Sequence, residues 1–222
     1  MSEGVQAYVL EGTPDAVKGE VKALPVSALP AGEVTIRVQY SGINYKDAMI
    51  AAGVGKMVRK LPHVPGIDLA GTVEQDSSGR YKPGAAVLVT GYDLGVGAWG
   101  GYAQVARVPA SWVVPLPAGL TALEAMTLGT AGFTAMLAVL ALERNGLKPA
   151  QGPVLVTGAT GGVGSVAIDL LARAGYQVAA SSGKPDMKGF LTTLGASQIL
   201  TREEVVDTSG RVLLKEQWAG AV

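Results

Sequence analysis

The sequence predicts an α/β protein in two parts, a β-rich domain followed by a parallel sheet with crossover helices. Three observations point there. Short strand-like runs separated by Gly, Pro and Asp fill the first half. Beyond Pro115–Pro117, strand-like and helix-like segments alternate. Within that second part, Val154–Ala167 reads VLVTGATGGVGSVA, an apolar run meeting a glycine turn that opens a helix-like segment.

Taken in order, the first half opens with a β-like run at Ala7–Leu10. VTIRVQY, residues 34–40, alternates cleanly: Val34, Ile36, Val38 and Tyr40 on one face, Thr35, Arg37 and Gln39 on the other. That is the pattern of a half-buried strand. Further runs lie at Leu69–Glu74, Ala85–Thr90, Tyr102–Val108 and Trp112–Val114, and their spacing predicts a barrel or sandwich. Thr121 followed by Glu124 fits a helix capping box. The helix it opens contains Met126–Leu142, which lacks charge but is shorter than the roughly 20 residues of a membrane span. A buried core helix, stopping near Gly146, is expected. A strand at Val154–Thr157, a helix at Val163–Ala174, a strand at Gln177–Ser181, a helix around Met187–Leu194 and a strand at Gln198–Leu200 complete the alternation. It predicts a parallel sheet with crossovers. The domain boundary falls near residues 115–122.

Composition narrows the function. Of 222 residues, 48% are hydrophobic and 16% charged, enough for a core and against compositional disorder. Lys+Arg and Asp+Glu are both 18, so no net field steers the chain to nucleic acid or an anionic membrane. There is no cysteine and one histidine, His63, which excludes disulfides and thiolate metal sites. His63 alone makes no metal site, and a packing role is expected. With no signal peptide at the N-terminus, the reading is a cytoplasmic protein.

Ala159-Thr160-Gly161-Gly162-Val163-Gly164 is the pattern G-x-G-x-x-G with alanine at the first position. In dinucleotide sites these positions give a tight turn, close backbone approach to the pyrophosphate and close helix–strand packing. The helix N-terminus offers N–H groups to phosphate. No Gly-Lys-Ser/Thr follows, so this is not a P-loop. The same letters fit the short-chain dehydrogenase turn, but the only later tyrosine, Tyr176, has Ala180 rather than a lysine four residues on. The cofactor follows from the next strand. NAD enzymes place an acid about 20 residues beyond the turn. Here Ser181-Ser182-Gly183-Lys184 offers hydroxyls and a cation, which suit the 2′-phosphate of NADPH. The alternative for Lys184 is a solvated loop residue.

A β-rich domain followed by such a dinucleotide domain resembles the medium-chain dehydrogenase/reductase superfamily. The segments that carry the resemblance are SGINYKD (41–47), PGIDLAG (65–71), WGGY (99–102) and LGTAGFT (128–134). With TGATGGVGSVA they resemble its zinc-free quinone oxidoreductase branch, and within it the NADPH-dependent acryloyl-CoA reductases. The resemblance implies a GroES-like β-barrel catalytic domain over 1–118 and a Rossmann NADPH-binding domain over 119–222. It implies reduction of an activated C=C bond, acryloyl-CoA to propanoyl-CoA, or of a quinone, by a homodimer when full length. The zinc branch has Gly-His-Glu where this chain has Gly66-Ile67-Asp68, and a cysteine near Asn44, so no metal is expected. Asn44 is a donor to the carbonyl or the nicotinamide ribose. Tyr45 is a donor or proton source, or else a packing aromatic; both lie on the loop after the alternating strand. Thr130 meets the nicotinamide, or caps a helix. Arg202 resembles the adenine-side arginine, or is a solvated surface residue. Asp68 orients the loop or is structural. The alternative class is an NADPH-binding protein without turnover, a sensor or structural binder.

The family extends over roughly a hundred more residues, and a doubly wound sheet of about six strands needs much of them. Ala219–Val222 reads as a fourth strand just starting, so the Rossmann domain is expected to be C-terminally incomplete, its first half only. Residues 1–222 alone are expected to turn over acryloyl-CoA or quinones poorly.

Overall fold

The structure, a computed structural model, describes residues 4–13, 16–58, 60–206, 208 and 215–222. Its backbone divides into two units, Met1–Thr130 and Ala131–Val222. In the first, β1 (Val5–Thr13) and β2 (Ala16–Leu24) form an antiparallel hairpin, Val5 opposite Leu24 and Thr13 opposite Ala16. Then follow β3 (Val34–Tyr40), α1 (Tyr45–Ala51), β4 (Asp68–Asp76), β5 (Ala86–Thr90), β6 (Val105–Val108) and β7 (Val114–Pro115). These five strands make an antiparallel sheet in the order β6-β3-β4-β5-β7. β1 continues the surface beyond β6: Tyr8 donates its N–H to the Tyr102 carbonyl, and Gln104 donates to Gln6.

The alternation read in VTIRVQY buries Val34 and Ile36 completely, half-buries Val38, and fades at Tyr40, which is exposed. A register shift between Val38 and Tyr40 ends the regular pairing with β4 and releases the chain toward Ser41. Val34, Ile36, Leu69, Val73, Val87, Val89 and Leu94 form the core on the inner face.

α2 (Ala122–Arg144) begins in the first unit and ends in the second. Its start is the predicted capping box: Thr121 N–H donates to Glu124 at 2.8 Å and Glu124 N–H to the Thr121 hydroxyl at 3.2 Å. The Thr121 N–H, and then the Thr121 hydroxyl, both donating to Glu124 Oε2 at 2.8 Å, hold the Glu124 carboxyl below its ordinary range. The helix breaks at Gly129, whose φ of 48° and ψ of −153° are not helical. The expectation of a buried core helix is corrected here. α2 is long and apolar enough to cross a membrane by length and composition, yet only 28% of its apolar window is buried. Ala125, Met126, Ala135 and Val139 face inward, while Leu123, Leu128, Phe133, Met136 and Leu137 stay 41–55% exposed. A segment apolar on all sides reads as buried whichever face is covered.

In the second unit, β8 (Val154–Val156), α3 (Gly162–Arg173), β9 (Val178–Ser181), α4 (Lys188–Thr193), β10 (Gln198–Leu200) and β11 (Gly220–Ala221) follow α2. The sheet is parallel, in the order β10-β9-β8-β11. The chain steps outward from β8 twice, then returns to its other side. The reversal lies between β8 and β11, where ligands bind in open α/β sheets. Val154, Val156, Ile168, Leu171, Val178 and Leu191 are fully buried between sheet and helices.

Candidate active site

Two buried carboxylates organise the first unit. Of Asn44 and Tyr45, expected on the loop after β3, Asn44 ends that loop and Tyr45 is already helical. Asn44 is the N-cap of α1 and Tyr45 its first residue. Asp47, three residues on and 1% exposed, accepts the Asn44 N–H at 2.9 Å. That reciprocal cap stabilises so short a helix. Its other oxygen accepts the N–H groups of Gly66 and Ile67 at 3.2 and 3.0 Å. α1 is thereby fastened to the segment that leads into β4.

Asp68, the first residue of β4, is fully buried. Oδ1 accepts Gly42 N–H at 2.7 Å. Oδ2 accepts three donors: Asn44 Nδ2 at 3.0 Å, Thr130 N at 3.0 Å and Thr130 Oγ1 at 2.9 Å. The Ser41 hydroxyl adds a bond to the Asp68 carbonyl at 2.6 Å. Tyr102 donates its hydroxyl to the Gly42 carbonyl at 3.1 Å. Burial, and then the charges of Asp47 and Asp68, push the Tyr102 phenol far above its ordinary value, so it stays a donor. Thus Asn44 and Thr130 meet on one carboxylate, and SGINYKD, PGIDLAG, WGGY and LGTAGFT converge around it. Tyr45 is 83% exposed. His63 is 3% exposed and places Nε2 2.8 Å from the Gly95 carbonyl, the packing role expected of it.

The glycine turn of the second unit leaves β8 at Gly158, whose φ of 55° suits glycine. Gly161 N–H donates to the Gly158 carbonyl at 2.8 Å, and α3 starts at Gly162. The first N–H groups of a helix have no intrahelical partner, and no acidic side chain occupies this first turn. Thr160, Gly161, Gly162 and Val163 are open to solvent to varying degrees, whereas Ala159 and Gly164 are buried and shape the turn. A Cβ on Gly164 would stand 2.6 Å from the Gly158 carbonyl oxygen, and one on Gly162 3.0 Å from the Ala131 methyl. The helix can approach so closely only because glycine stands there.

At the end of β9 the expected hydroxyls separate. Ser181 is buried and turns its hydroxyl to the Thr201 carbonyl, so it is not presented to a ligand. Ser182 is half-buried, and its oxygen accepts the Lys184 N–H at 3.1 Å. Arg202 lies over Gly183: a Cβ there would be 2.9 Å from the arginine Nε. Ser182, Gly183, Lys184 and Arg202 therefore form one cationic corner, with no carboxylate from Ala180 to Lys184.

The alcohol dehydrogenase GroES-like domain model matches residues 30–118. Acrylyl-CoA reductase AcuI of Ruegeria pomeroyi is 58% identical over 91% of this chain and 61% of its own length. The putative quinone oxidoreductase YhfP of Bacillus subtilis is 48% identical over the whole chain and 67% of its own length. The chain belongs to the medium-chain dehydrogenase/reductase superfamily. The crystal structure of YhfP, with NAD bound, matches this superfamily member with a TM-score of 0.92, over 98% of the chain and 66% of that structure. The yhdH oxidoreductase of Salmonella enterica, in complex with NADP, matches at 0.93 and 50% identity, over 97% of this chain and 66% of that one. The α/β fold is therefore that of a medium-chain dehydrogenase/reductase, GroES-like domain first and Rossmann-type sheet second. The chain spans 61–67% of the length of these relatives. The GroES-like match ends at residue 118, whereas the backbone divides at Thr130, inside α2, because the first half of that helix packs with the first unit. Among the described residues no three His, Asp or Glu side chains gather to hold a metal.

Sequence reasoning named Asn44, Thr130 and Asp68, the last as orienting the loop or structural, but did not read that Asp68 joins the other two. The signal was an acid inside an apolar, glycine-flanked run, GIDLAG, where an acid costs free energy unless fully bonded.

Proposed function

We propose that the chain acts in a zinc-independent, NADPH-dependent reductase of an activated C=C bond, acryloyl-CoA to propanoyl-CoA, with quinones as the other acceptor class. The observation that carries the cofactor is the acid-free corner where Arg202 lies over Gly183 beside Ser182 and Lys184. A carboxylate there would favour a free ribose 2′-OH; two cations favour a 2′-phosphate. The turn fits the pyrophosphate, since Thr160, Gly161, Gly162 and Val163 offer backbone N–H groups at an unneutralised helix end. The substrate class is supported by the 58% identity to the Ruegeria acrylyl-CoA reductase. The proposed functional boundary, 118/119, is supported by the end of the GroES-like match. The resemblance supports a small-molecule substrate and a cytoplasmic homodimer.

Held by the glycine turn at Thr160–Val163 and the corner of Ser182, Lys184 and Arg202, NADPH would supply hydride chemistry for the β-carbon of the unsaturated carbonyl. The chain's own residues then face developing negative charge on the carbonyl oxygen and a proton demand at the α-carbon. Asn44 answers the first with an amide N–H held in a fixed orientation. Tyr45, exposed at the head of α1, serves as donor or proton source. Thr130 contacts the nicotinamide half.

The test is a pair of titrations. NADPH is expected to bind at least about tenfold more tightly than NADH, and Arg202→Ala or Lys184→Ala to remove most of that preference, since a charge-assisted bond is worth about 1.5–3 kcal/mol. Equal affinity of the wild type for both nucleotides sinks the cofactor assignment. NADPH oxidation with acryloyl-CoA, crotonyl-CoA and a benzoquinone ranks the acceptors. A rate with none of them favours a binder without turnover.

A further inference from the structure

The outer face of the first sheet carries a polar cleft. β3 sends Val34 and Ile36 into the core, so Thr35 and Arg37 stand on the other face. Thr35 lies opposite Arg107 of β6 and Gln75 of β4, and it is only 7% exposed. Arg107, half-buried, donates its Nε–H to the Thr35 hydroxyl at 3.3 Å, which fixes the base of its guanidinium. A cleft of about 280 Å³ opens over these strands. None of its lining residues belongs to the candidate active site, and all of them lie in the first unit.

The two arginines of the cleft are not equivalent. The register between β3 and β4 shifts after Thr35: Thr35 pairs with Gln75 and Ile36 with Val73, so Glu74 is the extra residue of a bulge. Glu74 pairs with Arg37 at 2.6 Å. Arg37 and Arg107 are diagonal neighbours across β3 and β6, a spacing of roughly 7–8 Å. Like charges at that spacing repel, and Glu74 offsets only one of them. Among the described residues no carboxylate pairs with Arg107. Its bond is the neutral one to Thr35, so the two Nη groups of its fork are uncommitted. Gln104 also lines the cleft, and its Oε1 accepts the Gln6 N–H at 3.0 Å. That bond orients the amide and leaves the Nε2 hydrogens as donors. The cleft thus presents oriented donors, one unmatched positive charge and an apolar wall, since Val26 and Val105 line it too.

We propose that this cleft binds a small monocarboxylate. The carboxylate oxygens take the Arg107 fork and the Gln104 amide, and a short apolar tail rests against Val26 and Val105. Each part of that class follows from an observation. An arginine fork presents parallel N–H groups that match a two-oxygen anion. One unmatched charge calls for one negative charge, and a phosphate dianion would be repelled by Glu74. The volume lies just below that of drug-sized sites, about 300–1,000 Å³, which limits the ligand to a few carbons.

The test is a titration of the full chain at constant ionic strength, followed through backbone and side-chain N–H signals in NMR spectra. The probes are propanoate, its neutral amide propanamide, and inorganic phosphate. Propanoate is expected to saturate with a Kd on the order of 1 mM and to shift the Arg107 Nε–H and Gln104 Nε2 signals. Propanamide should shift neither. Arg107→Gln should weaken propanoate at least about tenfold. Gln104→Glu keeps an acceptor for Gln6 but sets a negative charge in the cleft, and should weaken propanoate by a similar factor. Arg173→Gln removes a cation from the second unit and should leave the affinity within about twofold. If Arg107→Gln does not fold, Gln104→Glu decides alone. Phosphate binding as tight as that of propanoate, shifts that grow without saturating, or undiminished propanoate binding in Gln104→Glu or in a folded Arg107→Gln each overturn the assignment.

Discussion

At the scale of single residues, burial decides which polar groups titrate and which hold still. His63 shows this with a sign that can be worked out. Gly95 O only accepts, so His63 Nε2 carries the proton and the ring is a neutral donor. Burial lowers its pKa below the ordinary value near 6.5, partly offset by that bond. Between the lowered folded value and the unfolded one, the unfolded chain binds more protons. The stabilising contribution is therefore whole above about pH 6.5 and is lost as pH falls toward the folded value. The melting temperature should drop between pH 7 and 5, and less steeply in His63→Gln, whose amide can still donate to Gly95. Equal slopes would remove His63 from the account. Tyr45 is the opposite case. At 83% exposed it contributes little to stability, so Tyr45→Phe should melt within about 0.5 kcal/mol of wild type and show any effect in kcat. The sequence made Asn44 and Thr130 legible through motif likeness. It left Asp47 unread and gave Asp68 only as orienting the loop or structural, because the meaning of a carboxylate depends on partners distant along the chain.

At the scale of elements, legibility followed length and pattern. β3 was plain from its alternation, and the β8–turn–α3 unit from its glycines, because close packing leaves no other residue type there. β2 went unread because its Lys and Glu residues, mostly exposed, mask any face. α1 went unread because seven residues are too few for a helical period; its signal was the pair Asn44 and Asp47, a cap rather than a pattern. A pair of substitutions tests the packing argument. Gly164→Ala places a methyl 2.6 Å from the Gly158 carbonyl oxygen and 2.8 Å from the Ala159 Cα, both backbone atoms that must move. It should cost about 1–3 kcal/mol and weaken nucleotide binding. Gly189→Ala, on α4 with open space around it, should instead stabilise by about 0.5–1 kcal/mol. Thermal melts of both variants check the pair, and a neutral Gly164→Ala would contradict the tight turn.

At the scale of the whole molecule, composition predicted enough apolar material for a core but not which apolar surface would be covered. With 48% hydrophobic residues the chain builds a large buried cluster in each unit, with smaller ones beside it in the first, and still leaves apolar side chains outside. Leu128, Phe133, Met136 and Leu137 on α2 are 41–55% exposed. Charge does nothing to keep such surfaces apart, because Lys+Arg and Asp+Glu are 18 each and the formal net charge at pH 7 is zero. The 222-residue chain should therefore self-associate near neutral pH, at concentrations on the order of 100 μM, through contacts that added salt does not weaken. Leu137→Lys and Phe133→Glu, made singly, each add a charge to the face without touching the core. Each should lower the association seen in sedimentation velocity while shifting stability by no more than about 0.5 kcal/mol. If the wild-type chain sediments as a monomer across that range, the α2 face is compatible with water as it stands. If both variants lose stability instead, those side chains are buried in solution, and the exposure of α2 described above is wrong.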